Sequence, residues 1–269
     1  MKLALGVFDG VHIGHQKVIE KAHRVMTFDP HPNPGRHLLT TLKERQDLIG
    51  NLDVIRFNKW VSNLSPEDFV KKIILKRYKN LTTVIVGEDF AFGYNREGDT
   101  KTLLDLGKKH GFDVEIIPEI TYQKEPVRST EIRHFLGHGN LEMATKYLGR
   151  AYQLSGRIYR GSGTGHKLGF PTINIQPEDS NKLIPLEGVY KGEAIVNNQA
   201  YKAAIFIGTR KTFDGEHKVV EAHLLGFNQK VYGKRATVFF YEYLRNEKKF
   251  KDATALSKQI KRDVKLVKG

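Results

Sequence analysis

Hydrophobic and polar positions along the chain follow two rhythms, and the change falls near residue 150. Before it, short apolar, β-branched runs at residues 3–8, 25–28, 54–57, 83–87 and 112–117 predict strands. Between or after them, residues 14–23, 42–49, 66–78 and 101–110 predict helices. The strongest helix start is Ser65-Pro66-Glu67-Asp68, with a capping hydroxyl, proline at the first position and acids in the first turn. Strands alternating with helices predict a mainly parallel sheet covered on both faces. Ligands of such sheets lie beyond the carboxyl ends of the strands. Two more helices close this part, one opening at Ser129-Thr130 and one over 140–148 with Asn140 as cap and Gly149 as stop.

Past residue 150, β-type runs at 152–159, 172–175, 189–196, 201–207, 218–225 and 235–244 alternate with turn clusters. That rhythm predicts a compact antiparallel barrel or sandwich. A last helix over 254–267 carries Leu256, Ile260 and Val264 on one face. The expected domains are therefore 1–149 and 150–269. The connections at His23, Pro34-Gly35-Arg36, Gly50-Asn51 and Val127-Arg128-Ser129 are abrupt for strand–helix links, which usually span about two to six residues. Either these loops are unusually short or flexible segments are missing there, and the second reading is favoured.

Composition narrows the class. With 269 residues, 39% hydrophobic and 10% aromatic, the chain has enough apolar material for packed cores, so wholesale disorder is excluded. Cysteine is absent, which removes disulfides, thiolate zinc sites and cysteine nucleophiles. That permits a reducing cytoplasm, the expected location. No apolar run approaches the roughly 18 residues of a membrane helix, and no membrane partner is expected. The net charge of +14 is uneven, with 23 basic against 19 acidic residues up to Arg150 and 21 against 11 beyond it. Such a balance favours phosphate-bearing partners without choosing among nucleic acid, nucleotide or anionic lipid.

The sharpest chemical signal is Gly6-Val7-Phe8-Asp9-Gly10-Val11-His12-Ile13-Gly14-His15, where a strand ends, the chain turns and a helix opens. Unpaired N–H groups at a helix start suit phosphate. Gly14 allows close backbone approach, and His12 and His15 add donors that stabilise charge as a bond to pyrophosphate breaks. In an ordinary turn the same histidines would be structural, but their place after the first strand of an α/β pattern favours a nucleotide site. Ser129, Thr130 and Arg133 open a later helix and could hold a second phosphate. Read alone they are a plain cap with a surface arginine. Thr27-Phe28-Asp29-Pro30-His31-Pro32 ends the second strand in a stiff loop. Gly87-Glu88-Asp89-Phe90-Ala91-Phe92-Gly93 follows the fourth strand and pairs carboxylates with aromatics, as a pocket for a flat polar ring would. A rigid structural loop is an equal reading of each.

In the barrel part, Gly161, Gly163, Gly165 and Gly169 punctuate a mobile, backbone-rich loop suited to covering phosphate. Its spacing is not that of a Walker A loop. Thr172 and Asn174 alternate with Ile173 and Ile175, so both polar side chains fall on one face as an oxygen set for magnesium shared with phosphates. Glu221 sits within an apolar run and is a candidate base, or else a solvent-facing strand residue. His134 and His138 read as a solvated helix face.

Taken in order along the chain, these stretches resemble the prokaryotic bifunctional riboflavin kinase/FMN adenylyltransferase (FAD synthetase) family. The stretches are G-V-F-D-G-V-H-x-G-H, T-F-D-P-H-P, G-x-D-F-x-F-G, S-T-x-I-R and L-G-F-P-T-x-N, and the likeness spans nearly the whole chain. The resemblance implies an α/β Rossmann-like nucleotidyltransferase domain followed by an all-β antiparallel, riboflavin kinase-like barrel with a C-terminal helix. It implies phosphorylation of riboflavin to FMN and adenylylation of FMN to FAD with release of pyrophosphate. ATP with Mg²⁺, riboflavin and FMN would be the small-molecule partners, and no nucleic acid is expected. By analogy, Gly6, Phe8, His12, Gly14 and His15 would face the ATP phosphates with Ser129, Thr130 and Arg133. Asp29, His31, Asp89 and Phe90 would shape the flavin side, Gly161, Gly163 and Gly165 would cover phosphate, Thr172 and Asn174 would hold magnesium, and Glu221 would be the kinase base. The kinase half departs from the usual text at His166, Ile173, Phe206, Lys211 and Gly226. One rival is therefore a monofunctional FMN adenylyltransferase with a degenerate barrel. The other is a basic nucleic-acid-binding protein, which the dispersed basic residues and the histidine turn disfavour.

Overall fold

A computed structural model describes residues 1–161, 163–212 and 215–269, with side chains described at all of these except 164, 167, 211, 212, 215 and 216. The chain divides into two compact units, Met1–Ser129 and Thr130–Gly269.

The first unit runs β1 (Lys2–Leu5), α1 (Ile13–Ile19), β2 (Arg24–Asp29), α2 (Leu42–Ile49), β3 (Leu52–Arg56), α3 (Lys59–Ser62), α4 (Pro66–Phe69), β4 (Thr83–Gly87), α5 (Thr100–His110), β5 (Asp113–Ile117) and a short ribbon, β6 (Thr121–Tyr122) with β7 (Glu125–Pro126). The five main strands form a parallel sheet in the order β3-β2-β1-β4-β5. The chain winds outward from β1 in one direction and then in the other, so the order reverses between β1 and β4. That reversal is where a parallel sheet opens a crevice at its carboxyl edge. Alternation along the strands fills both faces. Leu3, Leu5, Met26, Phe28, Val84 and Val86 pack into one core with Phe69, Val70 and Leu103. Ala4, Val25 and Ile85 pack into the other with Val18 of α1. This is the doubly covered α/β architecture that the sequence predicts.

Three local differences have physical causes. The first strand stops at Leu5 rather than continuing to residue 8, because Phe8 takes a left-handed backbone with φ of 53°. The helix expected over 66–78 is α4 followed by a wider, π-type stretch, Val70–Leu75, which brings Val70, Ile73 and Ile74 all into the core. The expected helix over 14–23 ends at Ile19, and a tight turn closes directly onto the sheet, with His23 N–H donating to Lys2 O at 3.0 Å. The short links at His23 and Gly50 are thus closed by hydrogen-bonded turns. At Gly50 the backbone has φ of 78°, and Leu52 N–H donates to Gly50 O at 2.8 Å.

The second unit takes most of α6 (Ser129–Gly137), then α7 (Leu141–Leu148), β8 (Tyr152–Tyr159), α8 (Thr164–Lys167), β9 (Ile173–Pro177), β10 (Gly188–Val196), β11 (Gln199–Thr212), β12 (Gly215–Leu224), β13 (Arg235–Arg245) and α9 (Ala253–Lys268). Six antiparallel strands close into a barrel in the order β10-β11-β12-β9-β8-β13. Its interior is apolar, with Leu154, Ile158, Ile175, Ile205, Ile207, Val220, Ala222, Val238 and Phe240 all at most 2% exposed. On α9, Asp263 is buried and takes a two-pronged ion pair from Arg245 of β13, with Gln259 donating to the same carboxylate at 2.8 Å.

The compact units part at 129/130, twenty residues before the expected 149/150, because α7 packs on β8 and β13 through Leu141, Ala144, Tyr147 and Leu148, each at most 3% exposed. Full burial of one such large side chain contributes about 1.5–3 kcal/mol. A fragment comprising residues 130–269 should therefore unfold cooperatively by circular dichroism. One beginning at residue 150 should melt several degrees lower; equal melting of the two fragments would show that α7 adds nothing to the barrel.

Candidate functional sites

Beyond β1 the backbone is left-handed at Phe8, Gly10 and Val11, with φ of 53°, 89° and 44°. A β-branched valine in that region is a true outlier, and such residues cost on the order of 1–3 kcal/mol each. The turn is held from outside. The buried Asp9 carboxylate accepts from Leu39 N–H (3.2 Å) and from Thr40 N–H (2.9 Å), while Thr40 Oγ1 takes the Gly10 N–H at 2.8 Å. Out of this turn comes His12, the cap of α1, whose Nδ1 accepts from His15 N–H at 3.3 Å. A ring that accepts at Nδ1 carries its proton on Nε2. The His15 ring stacks on His12 at 3.6 Å and meets Phe8 edge-on at 5.4 Å. The two glycines are needed for this cluster. A Cβ on Gly6 would come 2.9 Å from the Phe8 ring, and one on Gly14 would come 3.2 Å from the His12 ring. Ser129 joins the turn by donating its hydroxyl to Asp9 O at 2.8 Å.

The other expected groups of this half are placed as follows. Asp29 ends β2, pairs with Arg45 at 3.2 Å and leads into a cis peptide bond with Pro30. His31 turns back on its own loop, its Nδ1 accepting from Asn33 N–H at 2.9 Å. Asp89 is exposed beyond β4 and lines an open cleft of about 280 Å³ with Glu88, Glu119 and Arg128. Phe90 stacks on Phe92 at 5.3 Å and packs against the core. Thr130 and Arg133 follow Ser129 on α6, within the second compact unit.

The barrel gathers a second set on its outer face. Register places Tyr159, Asn174, Glu221 and Phe206 side by side across β8, β9, β12 and β11. Their neighbours Ile158, Ile175, Val220 and Ile207 point into the barrel. Thr172 donates to Glu221 Oε2 at 3.2 Å, and the Arg210 guanidinium pairs with the other carboxylate oxygen. Burial pushes the Tyr159 hydroxyl up from its ordinary range. Asn174 is 4% exposed, and its Oδ1 has no hydrogen-bond partner among the described residues. A buried amide oxygen without a partner costs about 1–3 kcal/mol, a cost that a water or a ligand would relieve. Glycines make room here as well. A Cβ on Gly161 would fall 2.4 Å from the Asn174 amide, and one on Gly165 would fall 2.5 Å from Phe170 O. Gly163 has φ of 75°.

Sequence reasoning missed Arg45, Thr40, Arg210 and Tyr159. Counting by twos from the Glu221 partner along β11 reaches Phe206, Gly208 and Arg210 on one face, and that signal could have found Arg210. Of the departures from the family text, Ile173 is in the core, Gly226 occupies a left-handed turn with φ of 74°, and His166 is exposed. Phe206 alone stands in the row beside Glu221, and the side chain of Lys211 lies outside the described residues.

Imidazoles past the first strand of a parallel sheet, and hydroxyl, amide and carboxylate oxygens on a barrel face, suit the phosphate chemistry of a transferase. A family model described as FAD synthetase matches residues 1–131, and one described as riboflavin kinase matches residues 148–269. The chain belongs to the bifunctional riboflavin kinase/FMN adenylyltransferase family. The relative of that name from Buchnera aphidicola is 34% identical, covering 99% of this chain and 92% of its own; the one from Bacillus subtilis is 35% identical, covering 97% and 89%. The Buchnera alignment runs over 294 positions, longer than this chain, so that relative carries residues this chain lacks. A crystal structure described as a macrolide-efflux protein from Streptococcus pneumoniae superposes with a TM-score of 0.88 at 27% identity, over 100% of this chain and 93% of its own. Among the described residues of this chain, no helix is long and apolar enough to cross a membrane.

The orphan amide oxygen gives a stability test. Asn174→Leu keeps the size and removes the unpaired acceptor, so the nucleotide- and metal-free protein should lose no stability and gain up to about 1–3 kcal/mol. A clear fall in its melting temperature would mean that Oδ1 is already satisfied.

Proposed function

We propose that the chain makes FAD by two successive transfers, one in each half. In the barrel, the 5′-hydroxyl oxygen of riboflavin attacks the γ-phosphorus of ATP, the bond to the β-phosphate breaks, and FMN and ADP form. In the α/β unit, a phosphate oxygen of FMN attacks the α-phosphorus of a second ATP, and FAD and pyrophosphate form. Neither step needs a covalent intermediate, and positioning with charge stabilisation supplies most of the rate. The observation that carries the kinase half is the meeting of Thr172, Asn174 and Glu221 on one face, with Asn174 Oδ1 unsatisfied among the described residues.

Glu221 takes the proton of the flavin hydroxyl, held in place by Thr172 and Arg210. Hard neutral oxygens of this kind suit Mg²⁺. Thr172 Oγ1 and Asn174 Oδ1 are the atoms that would hold it, and its chemistry there is to draw negative charge from the phosphates. Gly161, Gly163 and Gly165 leave backbone open to the phosphates. In the other half, the His12 and His15 imidazoles donate to the ATP phosphates as charge grows on the departing pyrophosphate, and Ser129, which bonds the same turn, serves the same anion. Gly6, Phe8 and Gly14 shape the imidazole pair. Asp29, His31, Asp89 and Phe90 form the flavin side. The functional boundary is taken at 149/150, two residues inside the riboflavin kinase span, which begins at residue 148. Small flavins and ATP are the partners, and the cytoplasm, where ATP is abundant, is the expected compartment.

The primary experiment incubates the chain with riboflavin, ATP and Mg²⁺ and resolves FMN from FAD by chromatography. Both products are expected. FAD formed from FMN with no FMN formed from riboflavin would instead select the monofunctional rival. Two substitutions separate the halves. His12→Ala or His15→Ala should slow FAD formation from FMN by roughly 10²–10³-fold, the usual effect of losing one such donor, with riboflavin phosphorylation within twofold of the parent. Parental FAD formation in both variants would remove the histidines from the site. Glu221→Gln keeps size and most hydrogen bonding but removes the base. Riboflavin phosphorylation should fall about 10²–10⁴-fold while FMN adenylylation is unchanged. An active parent matched by its glutamine variant would rule Glu221 out as the base.

A further inference from the structure

Arg45 is a charged side chain at 1% exposure, on a helix that otherwise reads as a polar surface element. Its Nη1 donates to Val7 O at 3.0 Å, to Thr27 Oγ1 at 2.9 Å and to Phe28 O at 3.2 Å, while Nη2 donates to Asp29 Oδ1 at 3.2 Å. Thr27 Oγ1 in turn donates to Val7 O at 2.8 Å. The place is specific. β1 and β2 run side by side, with Gly6 N–H still donating to Met26 O at 3.2 Å, and then they part. One goes into the left-handed turn that carries His12, and the other into Asp29-Pro30-His31. Arg45 bridges them where they separate. The residues just before it, Leu39 and Thr40, grip Asp9 and Gly10 of the same turn.

We infer that Arg45 is a positioning residue for adenylyl transfer, fixing the histidine turn and the Asp29 loop relative to each other through a single buried guanidinium. The inference rests on the reading that this unit holds ATP at the histidine turn and FMN at the Asp29 loop. A buried charge is expensive to keep unless it is paired and hydrogen-bonded. The planar fork supplies what an apolar side chain could not: simultaneous bonds to two backbone carbonyls, a hydroxyl and a carboxylate. Two substrates that must meet in line are sensitive to displacements of about 1 Å, which can cost about 10²-fold in rate.

The test uses the full chain. Arg45→Lys keeps the charge and loses the fork. FMN adenylylation should fall by about 10²-fold, with the KM for ATP and for FMN rising together, while riboflavin phosphorylation stays within twofold of the parent. Arg45→Gly supplied with ethylguanidinium should recover part of the adenylylation, a rescue that mere loss of stability would not give. If the Arg45 variants unfold, Thr27→Val decides, because it removes the hydroxyl shared by Val7 O and Arg45 and should raise both KM values. Parental kcat and KM values in a folded Arg45→Lys, or in Thr27→Val when Arg45→Lys does not fold, would overturn the positioning role. A parent chain that forms no FAD from FMN would overturn the functional reading itself, and with it this role.

Discussion

The backbone between β1 and α1 goes where side-chain-bearing residues rarely go, and much of the first unit is arranged to keep it there. Phe8 and Val11 at positive φ each work against the turn by on the order of 1–3 kcal/mol. The opposing forces are visible: the Asp9 carboxylate on Leu39 and Thr40, the Thr40 hydroxyl on Gly10, and the Arg45 guanidinium on Val7. The result is a histidine in the capping position of α1 with a second imidazole stacked on it. Strain at a site survives only where the surroundings over-determine it, and here they do so from a segment thirty residues further along the chain.

Much of the fold was legible. Strand–helix alternation followed by short β runs fixed the class of each half, and the strand ranges at 83–87 and 152–159 coincide with β4 and β8. Boundaries failed where non-local contacts decide. Residues 6–8 look like strand by their side chains, but the turn beyond them is set by Asp9 and Thr40. The helix pair α6 and α7 reads as the end of the α/β half because it follows those elements in sequence. The apolar face of α7 nevertheless packs on the barrel strands β8 and β13, and no local pattern reveals which side such a face will choose.

The candidate site residues divide the same way. His12, His15, Thr172, Asn174 and Glu221 stood out because their residue types are unusual at strand ends or within apolar runs, and the structure clusters each set. Arg45 was invisible because a basic residue in Leu-Lys-Glu-Arg-Gln-Asp-Leu-Ile reads as solvated helix surface. Only the fold shows that it is swallowed whole. Arg210 was hidden for a different reason. Its pairing with Glu221 depends on cross-strand register, which sequence periodicity alone leaves open.

The closed barrel separates two kinds of evolutionary freedom. Each strand has one inward row that packs in the barrel and one outward row that meets the flanking helices, solvent or ligand, with no open edge between them. Isoleucine at 173 falls on the inward row, where a change bears on packing, and phenylalanine at 206 falls on the outward row beside Glu221, where a change bears on what that face meets. Lineages of this barrel can drift in stability and in selectivity along independent axes, and a sequence that looks eroded by position-for-position comparison can keep its working face intact.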